Sequence, residues 1–307
     1  MLSKLRYTLR FESPALLPEW KGGTIRGALG SKLHEISCKR QNGVCRSCSF
    51  ATICPYGYIF ETKPPSIMSK LAKCNQVTKP YVIEPPLNTK REYRPGDTFS
   101  FEITLFGNGV KYARYIDEAV RSIDRIGKGR EKGFGNVSLC MSEMFDPNSG
   151  GYVPLNLQAL PSISPKRTKN FDYVSVNFVT PTMLVFDSAL IQEISFSHLI
   201  RAAARKFSNI VYFHTDSEPK IDWKKLFEDV DRNSKTISSN FRRQDIKRWA
   251  GRLSEHQFFP AVVGEAEYDA SNLEDKELVS LMLDFGTYSH IGKFSTFGAG
   301  AYTYALR

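Results

Sequence analysis

Hydrophobic and polar residues alternate from the start of the chain. Leu5, Tyr7, Leu9 and Phe11 are separated by Arg6, Thr8 and Arg10, and a period of two marks a strand with one buried face. Pro14 and Pro18 end it. Ile25, Leu29, Leu33 and Ile36 then share one side of a helix that opens at Gly22-Gly23-Thr24, with Thr24 as the expected N-cap. Arg26 and Lys32 lie off that side. Gly27 and Gly30 are costly inside a helix, so something is expected to pack or bind closely there. Tyr56 to Glu61 reads as a strand, and Thr62 to Pro95 as a long loop with an extended piece at Tyr81-Val82-Ile83. Phe99, Phe101, Ile103 and Leu105 alternate again. Ile116, Ala119, Val120 and Ile123 give an amphipathic helix, and a strand from Val137 to Met144 follows.

The pattern then starts over. Val174, Val176 and Phe178 form a strand, and Leu199, Ile200, Ala203, Phe207 and Ile210 a helix. Phe258 to Tyr268 is a further strand, Leu278, Leu281, Met282 and Phe285 a last helix, and Ala301 to Tyr304 a closing strand. Two motifs repeat with the pattern. Phe11-Glu12-Ser13-Pro14-Ala15-Leu16-Leu17 matches Phe178-Val179-Thr180-Pro181-Thr182-Met183-Leu184. Ile126-Gly127-Lys128-Gly129-Arg130-Glu131-Lys132-Gly133-Phe134-Gly135 matches Ile291-Gly292-Lys293-Phe294-Ser295-Thr296-Phe297-Gly298-Ala299-Gly300 as I-G-K-x-x-x-x-G-x-G. Self-similarity of this kind indicates one structural unit used twice. The expected class is α+β, with two tandem ferredoxin-like (βαββαβ, RRM-like) domains at residues 1–145 and 171–307. A linker runs from Asp146 to Asn170.

Charge narrows the partners. Forty-two Lys and Arg against thirty-two Asp and Glu leave +10 on 307 residues, which favours polyanions, nucleic acid before an anionic membrane surface. No apolar run approaches the roughly 18 residues that span a bilayer. The first residues lead into a strand, not a signal-peptide core. A cytoplasmic protein is expected. Arg242, Arg243, Lys247, Arg248 and Arg252, interleaved with Phe241 and Trp249, suit RNA, whose phosphates take cations and whose unpaired bases stack on rings. A strand pair with one solvated basic face is the alternative.

Four of six cysteines fall in one short excursion of the first domain: Cys38, Cys45, Cys48 and Cys54. Without a secretion signal such a cluster reads as metal before disulfide. Four thiolates suit a closed, structural zinc site and leave no open position for catalysis; free thiols or disulfides are the alternatives. The two glycine-rich loops match neither a Walker A loop nor G-x-G-x-x-G. What they offer is a turn with backbone N–H groups and a fixed lysine, a combination able to cradle phosphate; tight turns repeated by ancestry are the alternative.

Two ferredoxin-like units, a glycine-rich loop before the last strand and a basic charge resemble the RAMP superfamily of CRISPR proteins, and most closely its endoribonucleases that process precursor crRNA. The residues carrying the resemblance are Gly23-Thr24-Ile25-Arg26-Gly27-Ala28-Leu29, the cysteine cluster running into Cys54-Pro55-Tyr56, and Gly292 with Gly298-Ala299-Gly300. The resemblance implies cleavage within CRISPR repeats with no cofactor for catalysis: the ribose 2′-OH attacks the adjacent phosphate, leaving a 2′,3′-cyclic phosphate and a 5′-OH. It implies a catalytic histidine in the first domain, where His34 is the only one. Tyr56 and Lys32 are expected to orient or stabilise the phosphate. RNA is expected at Arg26, Lys128, Arg130, Lys132, His290, Gly292, Lys293, Gly298 and Gly300. Expected partners are repeat RNA, crRNA and subunits of a CRISPR effector complex. The rival reading is a non-catalytic RAMP subunit that holds crRNA in such a complex.

Overall fold

The computed structural model describes residues 2–38, 45, 48–63, 77–127, 133–215, 217–250 and 255–307, with the backbone alone at 248–250 and 255–256. The chain forms two compact units, Met1–Ser164 with Phe213–Asp216, and Pro165–Tyr212 with Ser217–Arg307. The first contains β1 (Leu2–Phe11), β2 (Ala15–Leu16), α1 (Gly22–Ser37), α2 (Pro55–Phe60), β3 (Tyr81–Glu84), β4 (Glu92–Tyr93), β5 (Thr98–Phe106), α3 (Ala113–Arg121), β6 (Arg125–Gly127), β7 (Phe134–Asp146) and β8 (Gly151–Pro154). The second contains β9 (Tyr173–Thr182), β10 (Leu184–Phe186), β11 (Ala189–Ile191), α4 (Phe196–His214, whose last two residues belong to the first unit), α5 (Trp223–Asn233), β12 (Lys235–Arg243), β13 (Ile246–Ala250), β14 (Glu255–Phe259), β15 (Val262–Asp269), α6 (Lys276–Ser289) and β16 (Tyr302–Leu306).

Both units lay their strands in one order. The first sheet runs β7-β1-β5-β3 and the second β16-β9-β15-β12, all antiparallel. Taken as the four strands of each repeat, each sheet reads fourth, first, third, second, the arrangement of a ferredoxin-like domain used twice. The central strand of each carries the predicted alternation: Leu5, Tyr7, Leu9 and Phe11 in β1, and Val174, Val176 and Phe178 in β9, are buried. Helices α1 and α3 cover the first sheet through Ile25, Leu29, Leu33, Ile116, Ala119 and Val120. Each such side chain gains about 1.5–3 kcal/mol by burial.

The two repeated motifs meet in space, in the same way in each unit. The N–H of Glu12 donates to the carbonyl of Asn136, the residue after the last glycine of the first loop; the N–H of Val179 donates to the carbonyl of Ala301, its counterpart. The hydroxyl of Ser13 accepts from the N–H of Asn136, and that of Thr180 from the N–H of Ala301, each at 2.8 Å. Ile126 pairs with Gly135, and the N–H of Ile291 donates to the carbonyl of Gly300. Thr180 also donates to the carbonyl of Gly298.

Four local expectations are corrected. Tyr56 to Glu61 is the helix α2, not a strand. Pro55 at its first position presets the helical φ, and Gly57 lets the backbone of Ala51 approach where a Cβ would collide. Thr24 lies inside the first turn of α1, because Lys21 is the N-cap. Pro260 splits the strand expected from Phe258 to Tyr268 into β14 and β15, having no N–H to continue a ladder. The stretch read as a linker contributes β8, which pairs with β7, and Ile163, which bridges to Leu2.

The open face of the first sheet is electrically closed. Lys4 lies 2.9 Å from Glu84 and 2.7 Å from Glu102, and Arg6 pairs with Glu102 while its guanidinium sits 3.4 Å over the Tyr152 ring. The open face of the second carries Ser175, Asn177, Glu265, Glu267 and Thr303, whose carboxylates make a poor floor for phosphate.

The hydroxyl contacts differ in burial, and stability should follow. Thr180 is 2% exposed and bonded twice, so Thr180→Val is expected to cost about 1–3 kcal/mol, since it takes the hydroxyl from the buried Gly298 carbonyl and from the Ala301 N–H. The Ser13 bond is solvent-exposed, and Ser13→Ala is expected to cost about 0.5–1.5 kcal/mol. Urea unfolding followed by tryptophan fluorescence and circular dichroism measures both; equal losses would contradict this account.

Candidate functional site

Arg26, Gly30 and His34 recur every fourth residue and so line one side of α1. Opposite them, Tyr56 and Phe60 stand one turn apart on α2, their rings stacked at 5.4 Å. The His34 ring meets Tyr56 edge-on at 4.7 Å, and the Arg26 guanidinium lies 5.1 Å over Phe60. Arg26 Nε donates to Tyr81 Oη at 3.0 Å. Gly30 explains its own cost: a Cβ there would stand 2.8 Å from the Phe60 ring, so glycine lets α2 approach α1. Gly27 has open space around it, and no close neighbour accounts for it.

Three of the expected residues, Arg26, His34 and Tyr56, are thus brought together. Lys32 is not. Two positions from Gly30, it projects from another side of the helix, 3.1 Å from Asp124 and 3.5 Å from Glu35; the Asp124 bond raises its pKa. Lys79 carries no motif in the sequence, yet it takes a place beside the cluster. Its Nζ donates to the Phe60 carbonyl at the end of α2. Burial lowers its pKa, Glu61 opposes the fall, and Arg26 adds to it. Two cations therefore lie within electrostatic reach at this end of α2.

Helix α2 is held from its other side. Tyr58 Oη lies 2.9 Å from His214 Nδ1, and His214 Nε2 lies 2.6 Å from the Thr78 carbonyl. A carbonyl only accepts, so Nε2 carries the proton and Nδ1 accepts from Tyr58. His214 is fully buried, and burial lowers its pKa.

The cysteine excursion connects the two helices. Cys38 caps the C-terminus of α1 and Cys54 precedes α2. Among the described residues no disulfide joins these cysteines and no group of three or more side chains is placed to hold a metal. The thiols are nonetheless neighbours: burial raises the pKa of Cys45, followed by Glu61, Cys38, Cys54 and Cys48.

In the second unit the glycine-rich loop is a clasp rather than a cradle. The N–H groups of Ile291, Lys293, Phe297, Gly298, Ala299, Gly300 and Ala301 all bond within the protein, so the expected supply of backbone donors for phosphate is largely spent. The glycines are required by contact: at Gly292 a Cβ would collide with the Met183 carbonyl, and at Gly300 with that of Ile291; both have positive φ, as does Gly298. His290, expected at the RNA, is 1% exposed with Nδ1 3.2 Å from the Ala299 carbonyl, and serves the clasp from inside. Lys293 is exposed. Lys128, Arg130 and Lys132 lie outside the described residues.

Comparison with known proteins assigns the halves. Residues 1–149 match the model of an N-terminal domain family. Residues 176–302 match the model of the CRISPR-associated endoribonuclease Cas6. That match falls within the second unit, residues 213–216 apart. An uncharacterized protein of Archaeoglobus fulgidus is 22% identical over 303 residues, covering 97% of this chain and 96% of its own. A Cas6 product complex is similar in fold, with TM-score 0.62 and 15% identity over 99% of both chains. So is Thermus thermophilus Cas6, with TM-score 0.58 and 15% identity over 99% of this chain and 98% of its own. Among the described residues no helix is long and apolar enough to cross a membrane.

The clasp lies within the matched Cas6 residues, and the His34 cluster lies in the first unit. The basic stretch also lies within the matched residues and takes two forms. Phe241 packs against Phe178 at 5.5 Å and belongs to the core; Arg243 pairs with Asp245. Lys247 and Phe258 face each other across the β13–β14 hairpin, with the ammonium 5.5 Å from a ring that is 60% exposed. The base of the hairpin packs on the clasp through Phe259 and Phe294, at 4.5 Å. Arg248 and Trp249 have no described side chains, and Arg252 lies outside the described residues.

The histidine behind α2 gives a pH test. His214 is held neutral, with its folded pKa below the unfolded value of about 6.5. Its contribution is whole above that value and is lost as pH falls toward the lowered folded pKa, because the unfolded chain then binds the extra proton. Urea unfolding should find the wild type less stable at pH 5.5 than at pH 7.5. His214→Gln, which keeps a donor for Thr78 and cannot titrate, should shrink that difference.

Proposed function

We propose that this chain is an endoribonuclease that cuts CRISPR precursor RNA within its repeats, using side chains and no metal for the chemistry. The observation that carries the proposal is the convergence of His34, Tyr56 and Arg26 between α1 and α2, in a chain whose residues 176–302 match the Cas6 model. Histidine titrates near neutrality and moves protons at the pH of the cell. In the reaction the 2′-oxygen bonds to phosphorus as its proton leaves to a base, and the bond from phosphorus to the 5′-oxygen breaks as that oxygen gains a proton. The products are a 2′,3′-cyclic phosphate and a 5′-OH. His34 serves one of the proton transfers. Arg26, with Lys79 within reach, supplies positive charge where the phosphorane builds negative charge. Tyr56 packs the imidazole in place. Lys32, neutralised by Asp124 and Glu35, has no part in this scheme.

RNA binding belongs to the same proposal. Exposed Lys293 on the clasp and the Lys247–Phe258 pair on the hairpin offer phosphate and stacking contacts; the partners are repeat RNA, its crRNA product and subunits of a CRISPR effector complex. A structural zinc at Cys38, Cys45, Cys48 and Cys54 fits the neighbouring thiols, and its role would be to fix the end of α1 to the start of α2 beside His34.

His34→Ala is expected to slow single-turnover cleavage of repeat RNA by about 10²–10⁴-fold while RNA affinity holds. EDTA should leave the rate of the folded protein unchanged, and a deoxyribose 5′ to the cut should abolish cleavage. Wild-type cleavage by His34→Ala would remove His34 from the mechanism. A wild type that binds repeat RNA tightly and leaves it whole would establish the crRNA-holding alternative instead.

A further inference from the structure

Lys206 of α4 reaches the clasp. Its Nζ donates to Ser295 Oγ at 2.7 Å, and Ser295, 5% exposed, opens the short 3-10 turn Ser295–Phe297 at the centre of the glycine-rich loop. Lys4, Lys32 and Lys276 stand beside carboxylates, Glu84, Asp124 and Asp172, buried Lys21 donates to two carbonyls and the Asn88 amide oxygen, and Lys79 donates to the Phe60 carbonyl. Lys206 differs. Burial alone lowers its pKa, to about 8, and among the described residues no carboxylate offsets that burial.

An ammonium taken from water is costly unless it is paired. One neutral hydroxyl takes a single N–H of three and supplies no charge. Ser295, accepting from Lys206, keeps its own O–H to donate. Lys206 retains intermediate exposure, and exposed Lys293 lies two residues before Ser295. The site thus sets a cation from α4 without a carboxylate against a hydroxyl donor on the turn, with a second, exposed lysine two residues away in sequence, groups complementary to a phosphodiester.

We propose that Lys206 and Ser295 form a phosphate subsite on the clasp, in which a backbone phosphate of bound RNA is the counter-ion that Lys206 lacks. This rests on the RNA-binding reading above and adds to it a contact placed in α4, outside the loop motif. It also assigns the clasp a ligand made by side chains, since the loop's backbone donors are engaged elsewhere.

The test compares Lys206→Met and Lys206→Arg with wild type in the full chain, by repeat-RNA titration over a salt series and by thermal unfolding without RNA. Methionine keeps the apolar stem and removes the charge. For a phosphate subsite, Lys206→Met should bind about tenfold or more weakly at low salt and flatten the salt slope by about 0.7. Its unfolding midpoint should hold or rise, because an uncompensated charge has been removed. Lys206→Arg should keep most of the affinity and the slope. Wild-type affinity and slope in Lys206→Met would overturn the proposal. So would a fall in its midpoint that accounts for the lost affinity, which would mark a purely structural lysine. A wild type that binds no RNA overturns the broader reading, and this one with it.

Discussion

In each unit the architecture turns on one hydrogen bond: a hydroxyl at the end of the first strand accepts the N–H of the residue that follows the last loop glycine. Ser13 does this for Asn136 and Thr180 for Ala301. The bond fastens the last strand beside the first at the point where the chain leaves the sheet, so loop and first-strand exit hold a fixed relation. Everything beyond that point in the first unit, including the start of α1, inherits its position from this joint. Pro14 follows the Ser13 hydroxyl where β1 has already ended, whereas β9 runs on past Pro181 to Thr182; in both units the glycines opposite admit the backbone at distances a side chain would forbid. The repeated motifs are therefore two halves of one joint, which is why they were duplicated together.

The same frame carries different chemistry in the two units. In the first, a glycine inside α1 opens room for α2, and that short helix brings aromatic rings against His34 and Arg26. Its position is enforced from behind by Tyr58 and the buried His214, so the cluster depends on groups that touch no candidate ligand. In the second, the space beside the loop is filled by Phe294, Phe297 and Ala299 packed against Ile246, Ala261 and Phe259. That packing makes the loop rigid and spends its backbone donors. An anion bound there would have to be held by side chains.

Much of the fold was legible because both units obey simple periods. The alternation in β1, β5 and β9 and the helical spacing in α1, α3, α4 and α6 marked most elements, and the repeated motifs located the two copies; the second strand of each sheet, β3 and β12, was not marked in this way. The failures have local causes. Residues 56–61 are rich in β-forming aromatics, and tertiary packing with Pro55 overrode that propensity. Helix α5 was missed although Asp222 accepts from the Lys225 N–H as an N-cap; the cap was there to be read. Arg26 and His34 were named through the resemblance and Tyr56 through its nearness in sequence to the cysteine cluster, and the structure brings the three together. Lys79, Tyr81, His214 and Lys206 were not found, because their roles arise from approaches between segments far apart in sequence.

The informative positions share a property. Natural sequences agree with their folds at most levels and depart from that agreement where something else is needed. Gly30 weakens a helix, Lys79 is a partly buried cation near another, and Lys206 is a partly buried cation without a carboxylate. Gly30 has a structural return, since the contact between α1 and α2 requires it. Within its unit Lys79 has Glu61 for partial compensation and the Phe60 carbonyl as an acceptor. Lys206 has only a hydroxyl, so of the three it is the one whose cost the fold leaves unanswered. A charge kept at such cost beside a rigid, glycine-built turn is most simply explained by an anion that arrives from outside. In a basic chain whose sheet faces are neutralised or acidic, a nucleic-acid phosphate is the anion that fits.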